Sequence, residues 1–322
     1  MADHLLRLRV NAVRAQTPQV RELELCSKDG GPLPRFRAGA HLRFVLPLGQ
    51  GVVERCYSLI NVTEQAGFYR IAVQRSSTSA GGSTYMCDEV CVGSVLTAHA
   101  PKNEFALVAG ATHHLLLAGG IGITPVLSMV RALDSAGQSF TLHYAARKPD
   151  SMAYADLLRA EYGDAVHLYF DNGDPSRGMP LASILDRPAT GAHAYFCGPG
   201  PMIDAVRATG QARGWSPAHL HFERFSAPAA KAGDAGIEVE LARSRRTLKV
   251  GRSESILDAI LAAGLDPLFD CRRGECGACA VAVLGGIPEH RDYVLTPEQR
   301  ASNKTMCICV SRATSQSLVL DI

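Results

Sequence analysis

The sequence predicts a multidomain chain of three unlike parts: a small antiparallel β-barrel, a parallel-sheet α/β domain, and a small α+β domain built around a cysteine loop. Three observations predict it. Short alternating segments separated by Gly/Pro turns occupy residues 5–105, the pattern switches to strands alternating with helices from His113, and Cys271, Cys276, Cys279 and Cys309 crowd into the last fifth of 322 residues. A chain of this length is too long for one ordinary core.

Composition narrows the class. Hydrophobic residues make up 47% and charged residues 20%, with a formal charge of +2. Such a balance suits a globular chain and gives no strong field for nucleic acid. The start, MADHLLRLRVNAVRAQ, lacks the unbroken apolar core of a signal peptide, and no apolar run is long enough for a bilayer span. A cytoplasmic protein without a nucleic-acid or membrane partner is expected. Ten cysteines in such a chain point to metal before disulfides.

In chain order, the barrel strands are expected at residues 5–10, 20–25, 41–45, 67–74 and 95–99, with turns such as Gly30-Gly31-Pro32 between them. In Arg55-Cys56-Tyr57-Ser58-Leu59, period two puts Arg55, Tyr57 and Leu59 on one side, as a phosphate partner and a ring platform or as a plain barrel face. Gly81-Gly82-Ser83-Thr84, opening a helical stretch at 85–90, is a second phosphate cradle.

The α/β part opens with a buried strand at 115–118, after His113 and His114 in a surface turn. Thr124 is expected to cap the following helix, Pro125 to take its first position and Gly137 to end it. Further strands are expected at 141–145, 165–170 and 192–197. The turn Gly119-Gly120-Ile121-Gly122-Ile123-Thr124-Pro125 suits a pyrophosphate, although proline stands where the usual dinucleotide fingerprint has its third glycine. Cys197-Gly198-Pro199-Gly200-Pro201-Met202 repeats that strand–turn–helix logic, so two turns would flank one dinucleotide.

Residues 226–234, SAPAAKAGD, read as a linker, followed by a hairpin at 237–241 and 247–250 and a helix at 256–263. The cysteine loop comes next. Cys271, Cys276 and Cys279 in C-x4-C-x2-C spacing, with a distant fourth, form the plant-type [2Fe–2S] arrangement, since two irons need two sulfur ligands each. Gly274, Gly277 and Ala278 let backbone N–H groups turn toward the sulfurs. A zinc site favours paired C-x2-C and fits poorly. By spacing alone, Cys307 and Cys309 both offer the fourth thiol. Cys26, Cys56, Cys87 and Cys91 read as ordinary thiols.

Taken together, Arg55–Leu59, Gly119–Pro125, Cys197–Met202 and the C-terminal cysteines resemble the phthalate dioxygenase reductase family over essentially the whole chain, including its order of domains. The resemblance implies a ferredoxin reductase-like barrel at 1–107, a nucleotide domain at 108–225, a linker at 226–235 and a β-grasp ferredoxin at 236–322. It implies FMN held by Arg55, Tyr57, Ser58, Ala72, Val73, Gln74, Gly82 and Ser83, with Gln74 standing where relatives can carry lysine. It also implies NADH at Gly120, Gly122, Ile123, Thr124, Pro125, Cys197, Gly198, Pro199 and Met202, and a cluster on Cys271, Cys276, Cys279 and Cys309. Cys309 is chosen because x-Ser-Arg-Ala follows it. Phe225 and Ser58 are the expected catalytic residues beside the flavin. The implied activity is hydride transfer from NADH to FMN, then single electrons through the cluster to a Rieske-type oxygenase of a small aromatic acid. A cytochrome acceptor or a non-catalytic zinc protein are the competing readings.

Overall fold

The computed structural model describes residues 5–49, 51–62, 67–76, 81–228 and 230–322; Met1 to His4 of the N-terminus and Ala229 of the expected linker lie outside them. The chain divides into two compact units, Met1–Glu223 and Arg224–Ile322.

The first unit opens with β1 (Leu6–Thr17), β2 (Val20–Ser27), β3 (His41–Leu48), β4 (Gly51–Ser58), β5 (Phe68–Gln74) and β6 (Val95–Ala98). They form one sheet in the order β4-β3-β6-β1-β2-β5, and every pairing is antiparallel. A bridge between Leu59 and Ile71 brings the end of β4 to β5 and curls the sheet into the expected barrel. Strand alternation fills it: Leu42, Phe44 and Leu46 of β3 are fully buried. Helix α1 (Gly82–Asp88) adds Met86 and Cys87 to the same core.

The second half of this unit is a five-stranded sheet of β7 (His113–Gly119), β8 (Phe140–Ala146), β9 (Val166–Phe170), β10 (Ala192–Cys197) and β11 (Leu220–Glu223). Its order is β11-β10-β7-β8-β9, and every pair is parallel. The crossovers carry α2 (Ile123–Ser135), α3 (Ala155–Tyr162), α4 (Leu181–Ile184) and α5 (Gly200–Ala212). The strand order reverses at β7 and β10, and the crevice beyond their carboxyl ends is where such sheets bind ligands.

Three sequence expectations need correction. His113 and His114 begin β7, with His114 buried, because β7 extends back to register with His193. Thr124 does not cap α2; a tight turn of Gly120–Gly122 leads in, Gly122 is the cap, and the Thr124 hydroxyl donates to the Ile121 carbonyl at 3.0 Å. Pro125 therefore sits at the third helical position, two later than expected, within the first turn. The four-residue β11 was too short for periodicity to reveal.

Barrel and sheet share one core through α2, whose Val126, Leu127 and Val130 pack with Val20, Ala38, Ile60 and Ala72. The Gly39 N–H donates to Ser128 Oγ at 3.0 Å, and the Tyr154 hydroxyl donates to Glu22 Oε2 at 3.0 Å.

The C-terminal unit has β12 (Ile237–Leu241) and β13 (Arg246–Val250) as the expected hairpin, α6 (Ile256–Ala262), β14 (Ala280–Gly285), β15 (Pro288–Glu289), α7 (Pro297–Ser302), β16 (Thr305–Cys307), β17 (Arg312–Ala313) and β18 (Ser317–Leu320). Its main sheet runs β13-β12-β18-β14-β16. Strand β12 pairs in parallel with β18, so α6 packs across a mixed sheet in the β-grasp manner.

The expected linker is pinned over its second half. The Asp234 carboxylate is 4% exposed and meets the Arg291 guanidinium, the Lys231 ammonium meets Glu289, and the Ala235 carbonyl accepts from Arg312 at 2.8 Å. Small residues alone concealed this, because the partners lie in β15, β17 and the loop between.

Candidate active site

The barrel brings Arg55, Tyr57 and Ser58 of β4 to the last strand in the sheet order, β5, whose Ala72 and Val73 are buried and whose Gln74 is half-buried. Arg55 lies over the start of α1: a Cβ on Gly82 would come within 2.8 Å of Arg55 Cγ and 2.9 Å of its Nε. Gly81, at φ +89°, makes the turn that places those first amides there. Ser83 Oγ accepts the Ser76 N–H at 3.2 Å. The Tyr57 ring sits 5.8 Å from Phe44, and burial pushes its phenol well above the ordinary range, so it stays protonated. Ser58 is 3% exposed, yet its hydroxyl has no hydrogen-bond partner among the described residues. A buried orphan hydroxyl is costly unless a ligand satisfies it, and a ring nitrogen or carbonyl oxygen of a flavin is a fitting acceptor for it.

The two glycine turns touch. A Cβ at Gly122 would lie 2.2 Å from the Cys197 carbonyl oxygen, and one at Gly119 would lie 2.5 Å from Met202 Sδ and 2.9 Å from Pro199 Cδ. Gly198 is as crowded, its Cβ position 3.0 Å from Met202 Sδ. Gly120 faces open space instead, and its carbonyl accepts the Tyr144 hydroxyl at 3.1 Å. Ile123, Thr124 and Pro125 are buried behind it. The starts of α2 and α5 meet here, and among the described residues neither has a side-chain cap. Two uncapped helix starts aimed at one crevice suit a pyrophosphate.

The sequence reading missed Glu223 and His41. Glu223 ends β11 in register with Cys197, is 4% exposed, and its carboxylate lies 3.9 Å from His41 Nδ1. His41 in turn pairs across β3 and β4 with Ser58. An acidic residue closing a four-residue strand was the available signal.

In the C-terminal unit, five thiols converge. Cys279 and Cys309 sulfurs are 3.0 Å apart, and Cys307 also reaches Cys279. The Arg273 N–H donates to Cys271 Sγ at 3.3 Å. The neighbouring Cys276 thiol, with the amides of Arg273, Glu275 and Cys276, holds the Cys271 thiol down to about 5. Cys276 is pushed up by that thiolate and by burial, and Cys309 is pushed up by Cys279 and by burial. Four thiolates therefore cannot coexist here without positive charge, which an iron cluster supplies. The Gly274 amide reaches the Cys309 sulfur, whereas Cys307 faces Cys279, Cys276 and Asp292. Gly274, at φ +79°, is the residue that lets the loop turn its amide inward. Phe225 belongs to this unit and is 42% exposed.

Fold and sites define a modular reductase with a nucleotide half and an iron–sulfur half. Residues 239–314 match the 2Fe-2S iron-sulfur cluster binding domain family, and residues 95–220 match the N-terminal domain of the dimethylamine monooxygenase subunit DmmA-like family. The solved structure of phthalate dioxygenase reductase is similar at 35% identity, with a TM-score of 0.78, covering 99% of this chain and 98% of that one. The chain belongs to the phthalate dioxygenase reductase family. It is 42% identical to the phenoxybenzoate dioxygenase subunit beta of Ectopseudomonas oleovorans, over 100% of this chain and 98% of that protein. An intact type IV self-sufficient cytochrome P450 monooxygenase is also similar, with 34% identity and a TM-score of 0.75, over 99% of this chain and 41% of that one.

Proposed function

We propose that this reductase takes hydride from NADH onto FMN and delivers electrons singly through its [2Fe–2S] cluster to a Rieske-type oxygenase of a small aromatic acid. The observation that carries it is one chain holding both the touching turns at Gly122 and Cys197 and the converging thiols at Cys279 and Cys309. The flavin supplies the step from a two-electron donor to a one-electron acceptor. The protein's residues supply position. Arg55 and the amides from Gly82 and Ser83 hold one phosphate, and Ser58 gives its unpartnered hydroxyl to the ring. Ala72, Val73 and Gln74 line the ring, and Tyr57 lies against it. Gly120, Gly122, Ile123, Thr124, Pro125, Cys197, Gly198, Pro199 and Met202 would hold the dinucleotide. Phe225 keeps the role beside the flavin that the resemblance implies. Cys271, Cys276, Cys279 and Cys309 hold the iron.

A cytochrome acceptor is the second reading, favoured by the likeness to the P450 monooxygenase. Anaerobic NADH titration should bleach flavin and cluster together, and the reduced protein should pass electrons to a Rieske oxygenase at rates a P450 does not match. Transfer to a P450 alone would replace the first reading by the second. Extracted flavin should chromatograph as FMN, and kcat/KM should favour NADH over NADPH. The barrel, nucleotide and ferredoxin parts at 1–107, 108–225 and 236–322 act as one monomer in the cytoplasm on this reading, which light scattering and fractionation check. Among the described residues no helix is long and apolar enough to cross a membrane.

A further inference from the structure

Glu275 lies inside the cysteine loop, immediately before Cys276, yet its side chain is only 16% exposed. Its Oε1 accepts the backbone N–H of Arg224 at 2.8 Å, and its Oε2 lies 3.6 Å from Arg273 Nε, whose side chain is 10% exposed. Arg224 opens the C-terminal unit and is itself buried. Its guanidinium lies over the Tyr293 ring at 4.3 Å, and the Tyr293 N–H donates to the Gly274 carbonyl at 2.8 Å. Arg224 is thus tied to the loop twice, directly through Glu275 and through Tyr293 standing on Gly274. Meanwhile the backbone amide of Glu275 is one of those that reach the Cys271 sulfur. One residue therefore contacts a cluster sulfur with its main chain and the beginning of the unit with its side chain.

We infer that Glu275 is a positioning residue that fixes Arg224 and the adjoining Phe225 to the cluster loop, so that the aromatic and the sulfurs move as one body. The inference rests on the electron-transfer reading above. A carboxylate accepting a buried main-chain N–H makes one of the stronger hydrogen bonds available, and removing it leaves that donor orphaned. Phe225, half exposed, has its backbone placed only one residue beyond this anchor. Arg273 beside Oε2 offsets the buried charge.

The test uses the iron-loaded holoenzyme and two variants, Glu275→Gln, which keeps an oxygen in place, and Glu275→Ala, which removes it. Hydrogen exchange is followed by mass spectrometry across residues 222–228. The Arg224 amide should exchange slowly in wild type and Glu275→Gln, and faster by about tenfold or more in Glu275→Ala. Cluster reduction after mixing with NADH, measured relative to flavin reduction, should slow roughly tenfold in Glu275→Ala and much less in Glu275→Gln. Should Glu275→Ala shed iron, Glu275→Asp, which withdraws the acceptor by one methylene, takes its place. Wild-type exchange at Arg224 in an iron-replete Glu275→Ala would overturn the anchor. A wild-type cluster that NADH never reduces would instead sink the electron-transfer reading, while the exchange data still decide the role of Glu275.

Discussion

The nucleotide turns and the cysteine loop are both short, glycine-bearing connections after or between regular elements, and they are built on opposite plans. At Gly119, Gly122 and Gly198 the close approach of the two turns depends on atoms left out, because a single Cβ would collide with Cys197, Pro199 or Met202. Around Cys271 and Cys279 it depends on atoms put in, with sulfurs gathered closely enough that burial and mutual charge oppose their joint ionisation. A site made by omission tolerates no added group. A site made by inclusion tolerates no lost one, unless the lost group stands outside the ligand set.

The largest effect expected is from the inclusion side. Cys309→Ser should lose the cluster's iron and visible colour, while Cys307→Ser keeps both, because only Cys309 is met by the Gly274 amide. Iron retained in the first variant and lost in the second would reverse the ligand assignment. Next comes Gly122→Ala, whose added methyl meets a backbone carbonyl that cannot rotate aside. It should destabilise the first unit by about 1–3 kcal/mol and cut NADH-driven ferricyanide reduction by about a hundredfold, with iron content unchanged. Near-normal turnover in this variant would show that the two turns do not need to touch.

Removing one atom from the barrel site sharpens the contrast, since Ser58 is a lone contributor among several. Ser58→Ala should still bind FMN, with flavin reduction by NADH slowed about tenfold in stopped flow. The smallest effect concerns Asp234, whose carboxyl Arg291 holds well below the usual carboxylate range. Because its folded pKa is depressed, the stability it gives is complete above about pH 4 and is lost as the pH falls below that. Asp234→Asn should therefore narrow the gap between urea midpoints at pH 7 and pH 3 for the C-terminal unit. An unchanged gap would mean the ion pair is idle.

Much of this was legible in the residues. The cysteine spacing gave the iron–sulfur unit because metal chemistry fixes ligand number and reach, and the glycines at Gly119, Gly122 and Gly198 marked two turns that meet because close backbone approach admits only glycine. The hairpin of β12 and β13 and the strand β10 fell where alternation placed them. What stayed hidden depends on partners distant in sequence. The His41–Glu223 contact spans barrel and sheet, and the ties on Asp234 and Glu275 join residues tens of positions apart. His113 and His114 misled because polar residues at the open end of a parallel strand look like a turn until a neighbouring strand claims them.

The 3.0 Å separation of the Cys279 and Cys309 sulfurs bears on how the protein should be handled at the bench. Once iron departs in air, two thiols this close need little movement to be oxidised by oxygen to a disulfide, whose bond is about 2 Å long. Protein bleached by storage should then refuse fresh iron and sulfide until a dithiol reductant is added, and alkylation before reduction should leave both cysteines unlabelled. Shelf life would be governed by sulfur chemistry, with the polypeptide still folded.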